Sequence, residues 1–235
     1  MPKSKQPLAT QTSKQELDAF IDKMQQTPVT FSAGGEGRVL FALDATASRQ
    51  LTWDHACHLQ NSMFIEAGKI GGLMMKLCYF RGFQQFHQSD WLTDSHSLLN
   101  IMQQVSCAAG HTQIGKVLNL ALKETRIKSV QAVIYIGDCM EEPVDNLCQK
   151  AGELGLLSTP VFIFQEGNEL IAKRAFKEVA RLSGGAYHSF NSASSHLLKQ
   201  LLNAVAVYAS GGKKALQHFA QDKDPAITRL LEQLK

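Results

Sequence analysis

The sequence predicts an α/β protein with a doubly wound, mainly parallel sheet, and three observations carry that expectation. Continuous apolar runs recur as RVLFALD (38–44), VQAVIYIGD (130–138) and TPVFIFQEG (159–167), the pattern of strands buried on both faces. Helical apolar periodicity fills most of the stretches between them. LMMKLCYF (73–80) and FQQFHQSDW (83–91) are separated only by Arg81 and Gly82, which predicts a hairpin and one antiparallel edge strand. Alternation of buried strands with helices places helices on both faces of the sheet, a Rossmann-like arrangement.

Taken in order, residues 1–12 are polar, and SKQELDAFIDKMQQ (13–26) reads as a short amphipathic helix. Ser13 and Glu16 form its capping box, and Leu17, Phe20, Ile21 and Met24 its apolar side. GGEG marks a linker, so 1–37 is an N-terminal extension and 38–210 the domain. The first strand, 38–44, runs into a helical stretch at about 49–68 that ends at GKIGG. Beyond the hairpin, helical patterns at 95–107 and 114–126 flank AAGHT. The strand at 130–138 leads to Pro143, which suits a first helical turn. TPVFIFQEG, a helix near 169–183, AYHSF and a helix near 194–208 add two more units. In the tail, 211–235, Ile227, Leu230, Leu231 and Leu234 recur at helical spacing, which fits a helix packed on the domain or offered to a partner.

A chain of 235 residues can bury a substantial core, and its formal net charge of +3 is too slight to argue for nucleic acid. The basic start lacks the apolar stretch of a secretory signal, and no later run is long enough to span a bilayer. The expectation is a soluble cytoplasmic protein with neither membrane nor nucleic acid as partner. Five cysteines, Cys57, Cys78, Cys107, Cys139 and Cys148, sit mostly in apolar segments as small hydrophobes, without zinc-ligand spacing. In WDHACH, His55 and His58 share a helical face that Cys57 does not, which reads as packing and surface.

The chemistry concentrates at FALDATASRQ (41–50), where Asp44, Thr46 and Ser48 follow a buried strand at alternate positions. Such oxygens can cap a helix or hold a metal. Thr112 precedes an amphipathic helix in GHTQIGKVLNLAL, and Asp138 ends the 130–138 strand. Ligands of doubly wound sheets bind outside the carboxyl ends of the strands, where both acids fall. Two carboxylates and three hydroxyls are hard oxygen donors suited to Mg2+ or Mn2+.

The order D-x-T-x-S, then a Thr followed by I-G-x-x-L at a helix start, then an acid ending an apolar strand, resembles the von Willebrand factor A (VWA) domain. The resemblance covers roughly residues 38–209, including the edge hairpin and the GGAYHSF strand. In that family the motif is the metal-ion-dependent adhesion site. The resemblance implies that Thr46 and Ser48 bind the metal directly, Thr112 directly or through water, and Asp44 and Asp138 largely through water. It further implies a non-enzymatic module whose protein partner supplies an Asp or Glu ligand. Small bacterial members often work beside AAA+ ATPases of the MoxR kind, which makes such an ATPase the expected partner class. The chain departs from the family in having Thr46 where Ser is usual and Cys139 where Gly commonly follows the last acid.

Three other readings compete. One is a VWA-like scaffold whose metal site does not function. A second takes Gly110, Gly115 and Lys116 as a phosphate loop, although Val117 replaces the magnesium-binding hydroxyl and IMQQVSCAA before it reads as helix. A third makes Asp44 a phosphotransferase nucleophile, but Thr46 stands where the second acid would be needed.

Overall fold

The apolar run that opens the domain forms strand β1, Gly37–Asp44, buried along its whole length. In this computed structural model, which describes residues 37–50, 73–191 and 200–209 with Ala19, Lys23 and Trp53, β1 lies inside a six-stranded sheet. The other strands are β2 (Leu73–Arg81), β3 (Gln85–Gln88), β4 (Ala132–Gly137), β5 (Val161–Glu166) and β6 (Tyr187–Phe190). Their spatial order is β3-β2-β1-β4-β5-β6, parallel throughout except for the β2–β3 hairpin. The helices are α1 (Ser95–Gln103), α2 (Ile114–Ile127), α3 (Val144–Leu156), α4 (Leu170–Leu182) and α5 (200–209).

Side chains alternate across a strand, so a sheet covered on both sides needs apolar residues at successive positions. Val39, Phe41 and Leu43 of β1 and Ile134 and Ile136 of β4 face one core with Leu98 and Met102 of α1 and Val205 of α5. Leu40 and Ala42 of β1 and Val133 and Tyr135 of β4 face the other, against α2, α3 and α4. The unbroken runs in the sequence are the signature of these two covered faces.

Small differences from the expected elements have local causes. Helix α1 stops at Gln103, four residues early, while Asp94 caps its start by accepting from the amides of His96 and Ser97. Strand β4 begins two residues late because the Gln131 side chain takes a ladder position, its Oε1 accepting from the Arg38 amide at 2.6 Å. The expected helices at 13–26 and 49–68 and in the tail, with His55, Cys57 and His58, lie outside the described residues. Within those spans the structure describes Ala19, Lys23 and Trp53, each helical, and Arg49 and Gln50, which close a 3-10 turn, and of the helix near 194–208 it describes 200–209.

At the amino ends of the strands, the Glu124 carboxylate receives Arg38 at 3.1 Å, Lys76 at 3.1 Å and the Trp91 indole N–H at 2.8 Å. The Arg38 guanidinium also stacks 3.8 Å from the Trp91 ring centre. Burial pushes the Glu124 carboxyl up, but the Trp91 and Lys76 hydrogen bonds and the two cations together hold it below its usual range.

The carboxyl ends differ, because there the topology leaves a crevice. The chain steps from β1 to β2 on one side, and after β3 it returns to β4 on the other. β1 and β4 therefore flank the switch point at which doubly wound sheets bind ligands.

Candidate metal centre

Asp44 is the last residue of β1, and the turn beyond it folds back on its carboxylate. The Thr46 amide donates to Asp44 Oδ1 at 2.8 Å, a local turn that Asp favours. A short 3-10 turn, Ala47–Arg49, follows, and the hydroxyls of Thr46 and Ser48 lie 3.1 Å apart. Alternate spacing in the sequence thus becomes a clustered pair of oxygens.

A second loop is tied to this turn through the main chain. The Ala45 amide donates to Phe80 O, the Ala108 amide to Ala45 O, and the Gly82 amide to Ala108 O. Gly110 packs so closely on Gly82 that a Cβ there would meet the Gly82 carbonyl oxygen at 1.9 Å. The loop carrying Thr112 is therefore pinned to the ends of β1 and β2.

The third contribution comes from the end of β4. Asp138 and Cys139 follow Gly137, and donor atoms of Asp44, Asp138 and Cys139 all lie within 4.8 Å of one another. The Cys139 thiol also neighbours the Ser48 hydroxyl. Asp44 is fully buried, yet its Oδ2 has no hydrogen-bond partner among the described residues, and neither does Asp138 Oδ1.

Such an arrangement is costly without a counter-charge, since a buried unpaired carboxylate oxygen loses its water without replacement. The titration of the groups reports the same cost. Burial and, to a smaller extent, the Asp138 charge raise Asp44 to about 6, against the Thr46 hydrogen bonds and the Arg49 charge. Burial, with the charges of Asp138 and Asp44, pushes the Cys139 thiol up to about 12. The Tyr135 phenol, also buried and unpartnered among the described residues, is raised well above its ordinary range by burial and then by Asp44. A divalent cation would reverse this balance by favouring every ionised form around it. The donor set fits such an ion.

Of the five residues expected from the sequence, Asp44, Thr46, Ser48 and Asp138 meet at the switch point. Thr112 is buried in the adjoining loop, where its Oγ1 accepts from the Glu141 amide at 3.1 Å while its own amide donates to Glu141 Oε2 at 3.2 Å. Glu142 holds the same loop from below. Its carboxylate accepts from the amides of Ile114 and, at 2.9 Å, Gly115, which caps α2. A carboxylate therefore occupies the helix start where a phosphate loop would hold its anion. The segment before Gly110 is α1 and a loop rather than a strand, and Lys116 Nζ donates to Gln113 Oε1 at 2.7 Å.

Arg49, Glu166, Glu141 and Glu142 are parts of the site that sequence reasoning missed. Arg49 directly follows the D-x-T-x-S pattern, but a basic residue at a helix start looks like a surface charge. Here it is buried, donating to Asp44 O at 2.7 Å and to Glu166 at 3.0 Å. Beside Thr112 an open cavity of about 560 Å3 is lined by Phe83, Gln84, His111, Gln113, Lys116 and Glu142, and Phe83 is 75% exposed.

No protein-family model matches the sequence, and no curated protein matches it either. Solved structures do resemble the fold. A von Willebrand factor type A protein from Catenulispora acidiphila aligns with TM-score 0.58 and 13% identity over 74% of this chain and 43% of that one. The SpRpn10 VWA domain aligns with TM-score 0.56 and 13% identity over 72% of this chain and 93% of that one. The pilus adhesin SpaC from Lactobacillus rhamnosus GG, in its open conformation, aligns with TM-score 0.61 and 8% identity over 82% of this chain and 31% of that one. The chain thus spans less than half of the Catenulispora and SpaC chains and nearly all of the SpRpn10 domain.

Proposed function

We propose that this chain, whose fold is that of the von Willebrand factor A domain, is a non-enzymatic docking module that binds a protein partner through a divalent cation. The observation that carries the reading is the pair of unpartnered oxygens, Asp44 Oδ2 and Asp138 Oδ1, at the topological switch point. Asp44, Thr46, Ser48 and Asp138 would hold the ion, with Thr112 joining when its loop releases the Glu141 amide. These oxygens by themselves suit Mg2+ or Mn2+. Two carboxylates roughly neutralise a divalent charge, and neutral hydroxyls leave the ion open to one more oxygen. An Asp or Glu of the partner supplies it.

The surroundings support a macromolecular partner. Phe83 in the hairpin turn, Val144 at the start of α3, and Leu170 and Ile171 at the start of α4 are exposed on the same edge of the sheet. Apolar residues rimming a charged centre are what a protein interface uses. One of the similar structures is an adhesin, a binding protein by name. No helix among the described residues is long and apolar enough to cross a membrane. An AAA+ ATPase in the cytoplasm is the partner class we favour.

The test is a thermal-shift titration with Mg2+ and Mn2+, paired with affinity capture in the presence and absence of EDTA. A saturable rise in Tm that Asp44→Ala abolishes, together with EDTA-sensitive capture of a partner, is the expected result. Equal responses from wild type and variant would remove the site from consideration. Hydrolysis of ATP that depends on Lys116 would replace this reading with the phosphate-loop one.

A further inference from the structure

Among the described residues, Cys139 brings the one soft donor to an otherwise hard site. Its position follows the last acid of the metal-binding pattern, and its sulfur lies within 4.8 Å of carboxylate oxygens from both Asp44 and Asp138. Magnesium demands near-octahedral oxygen coordination, so a thiol in that place does nothing for it. Thiolate sulfur favours zinc, which accepts a mixture of sulfur and carboxylate oxygen. A second and independent observation also points to an ion. Asp44, whose carboxylate contributes an oxygen to this cluster, is fully buried, and its Oδ2 has no hydrogen-bond partner among the described residues.

We propose that Cys139 is a metal ligand and that, with Asp44 and Asp138, it makes this centre select Zn2+ over Mg2+ and Mn2+. The inference rests on the docking reading above and deepens it by naming the ion. On binding, an S–H bond breaks, a Zn–Sγ bond forms, and the proton leaves to solvent, so zinc uptake releases protons. Ligand distances of about 2.0–2.2 Å for oxygen and about 2.3 Å for sulfur place tetrahedral donors less than about 4 Å apart. A donor set already within 4.8 Å needs only a small contraction. Three protein ligands also leave the fourth tetrahedral position open. A partner carboxylate, or water in its absence, completes the shell, with the Ser48 hydroxyl beside it.

The full chain without a polyhistidine tag, and its Cys139→Ala and Cys139→Ser variants, would be titrated with Mg2+, Mn2+, Co2+ and Zn2+ against a chromophoric chelator. The wild type should bind one Zn2+ about a hundredfold or more tightly than Mn2+, and Cys139→Ala should lose at least about tenfold of the zinc affinity alone. The Co2+ form of the wild type should show a thiolate-to-metal absorption in the near ultraviolet that both variants lack. Should the variants fail to fold, alkylation of the wild-type chain gives the same answer: Zn2+ should protect Cys139 from iodoacetamide, read by peptide mass spectrometry, and Mg2+ should not. Zinc affinity indifferent to Cys139, with no thiolate band and no protection, would overturn the inference. In that outcome an Mg2+ response abolished by Asp44→Ala would leave the docking reading standing, whereas a response indifferent to Asp44 would end both.

Discussion

The guanidinium of Arg49 donates to the main-chain oxygen of Asp44 at 2.7 Å and, through Nε, to the Glu166 carboxylate at 3.0 Å. The ends of β1 and β5 are thereby joined behind the acid that faces the crevice. Holding the Asp44 peptide fixes the direction of its carboxylate, and the Glu166 charge compensates a cation that would otherwise repel an incoming ion.

Replacing Arg49 by Met should therefore be strongly destabilising, toward the lower end of roughly 3–5 kcal/mol because Glu166 keeps some contact with water. Adding Glu166→Leu should recover much of the loss. Urea unfolding of the two single variants and the double variant measures the coupling, and additive losses would mean that the pair does not act as a unit.

The raised pKa of Asp44 gives a pH signature. Its folded-state value of about 6 lies above the unfolded 3.8, so between these the folded metal-free chain holds a proton that the unfolded chain has lost. That contribution to stability is present at low pH and fades as pH rises through the window. A bound cation favours the ionised carboxylate and works in the opposite sense. The rise in Tm at saturating metal should be larger at about pH 7.5 than at about pH 5, with apparent affinity falling below about pH 6. Differential scanning fluorimetry at the two pH values would expose an equal rise, and with it an error in the ligand assignment.

Glu142 restrains the Thr112 loop through the first amides of α2. Glu142→Ala should cost about 1 kcal/mol, the usual scale for losing a helix cap. It should also raise metal affinity, since Thr112 is then freer to leave the Glu141 amide. Isothermal titration on the variant checks the sign, and a lower affinity would mean that Thr112 already stands where it is needed.

The Glu124 cluster predicts the converse, a large stability effect without a binding effect. Glu124→Ala leaves Arg38 and Lys76 without their buried partner and should cost about 3–5 kcal/mol. Arg38 and Asp44 lie at opposite ends of β1, about 20 Å apart at the usual rise per residue. Metal affinity of the folded variant should stay within about twofold, because distant sites behave independently.

The framework was legible in the sequence for a physical reason. A strand covered on both faces has nowhere to put a polar residue, so β1, β4 and β5 announce themselves, and Asp44 and Asp138 stand out because each ends such a run. Thr46 and Ser48 were legible as neighbours of Asp44. Arg49, Glu166, Glu141 and Glu142 were not, since each acts through a partner distant in sequence and no local pattern marks a long-range hydrogen bond. Cys139 was visible as a departure from the family pattern, but its place beside Asp44 requires β1 and β4 to be neighbours. That adjacency belongs to the sheet order.

The same sheet order governs when the centre can form. Val39 pairs with Ala132 across more than ninety residues of intervening chain, so the crevice between β1 and β4 is among the most non-local features of the molecule. Non-local pairings are slow to close, and an ion that needs both Asp44 and Asp138 finds no site until they have closed. Metal should therefore leave the refolding rate nearly unchanged and slow unfolding instead, the partition expected for contacts absent from the transition state. The centre would then act as a latch on the finished protein: loaded after folding, it lengthens the lifetime of the folded chain.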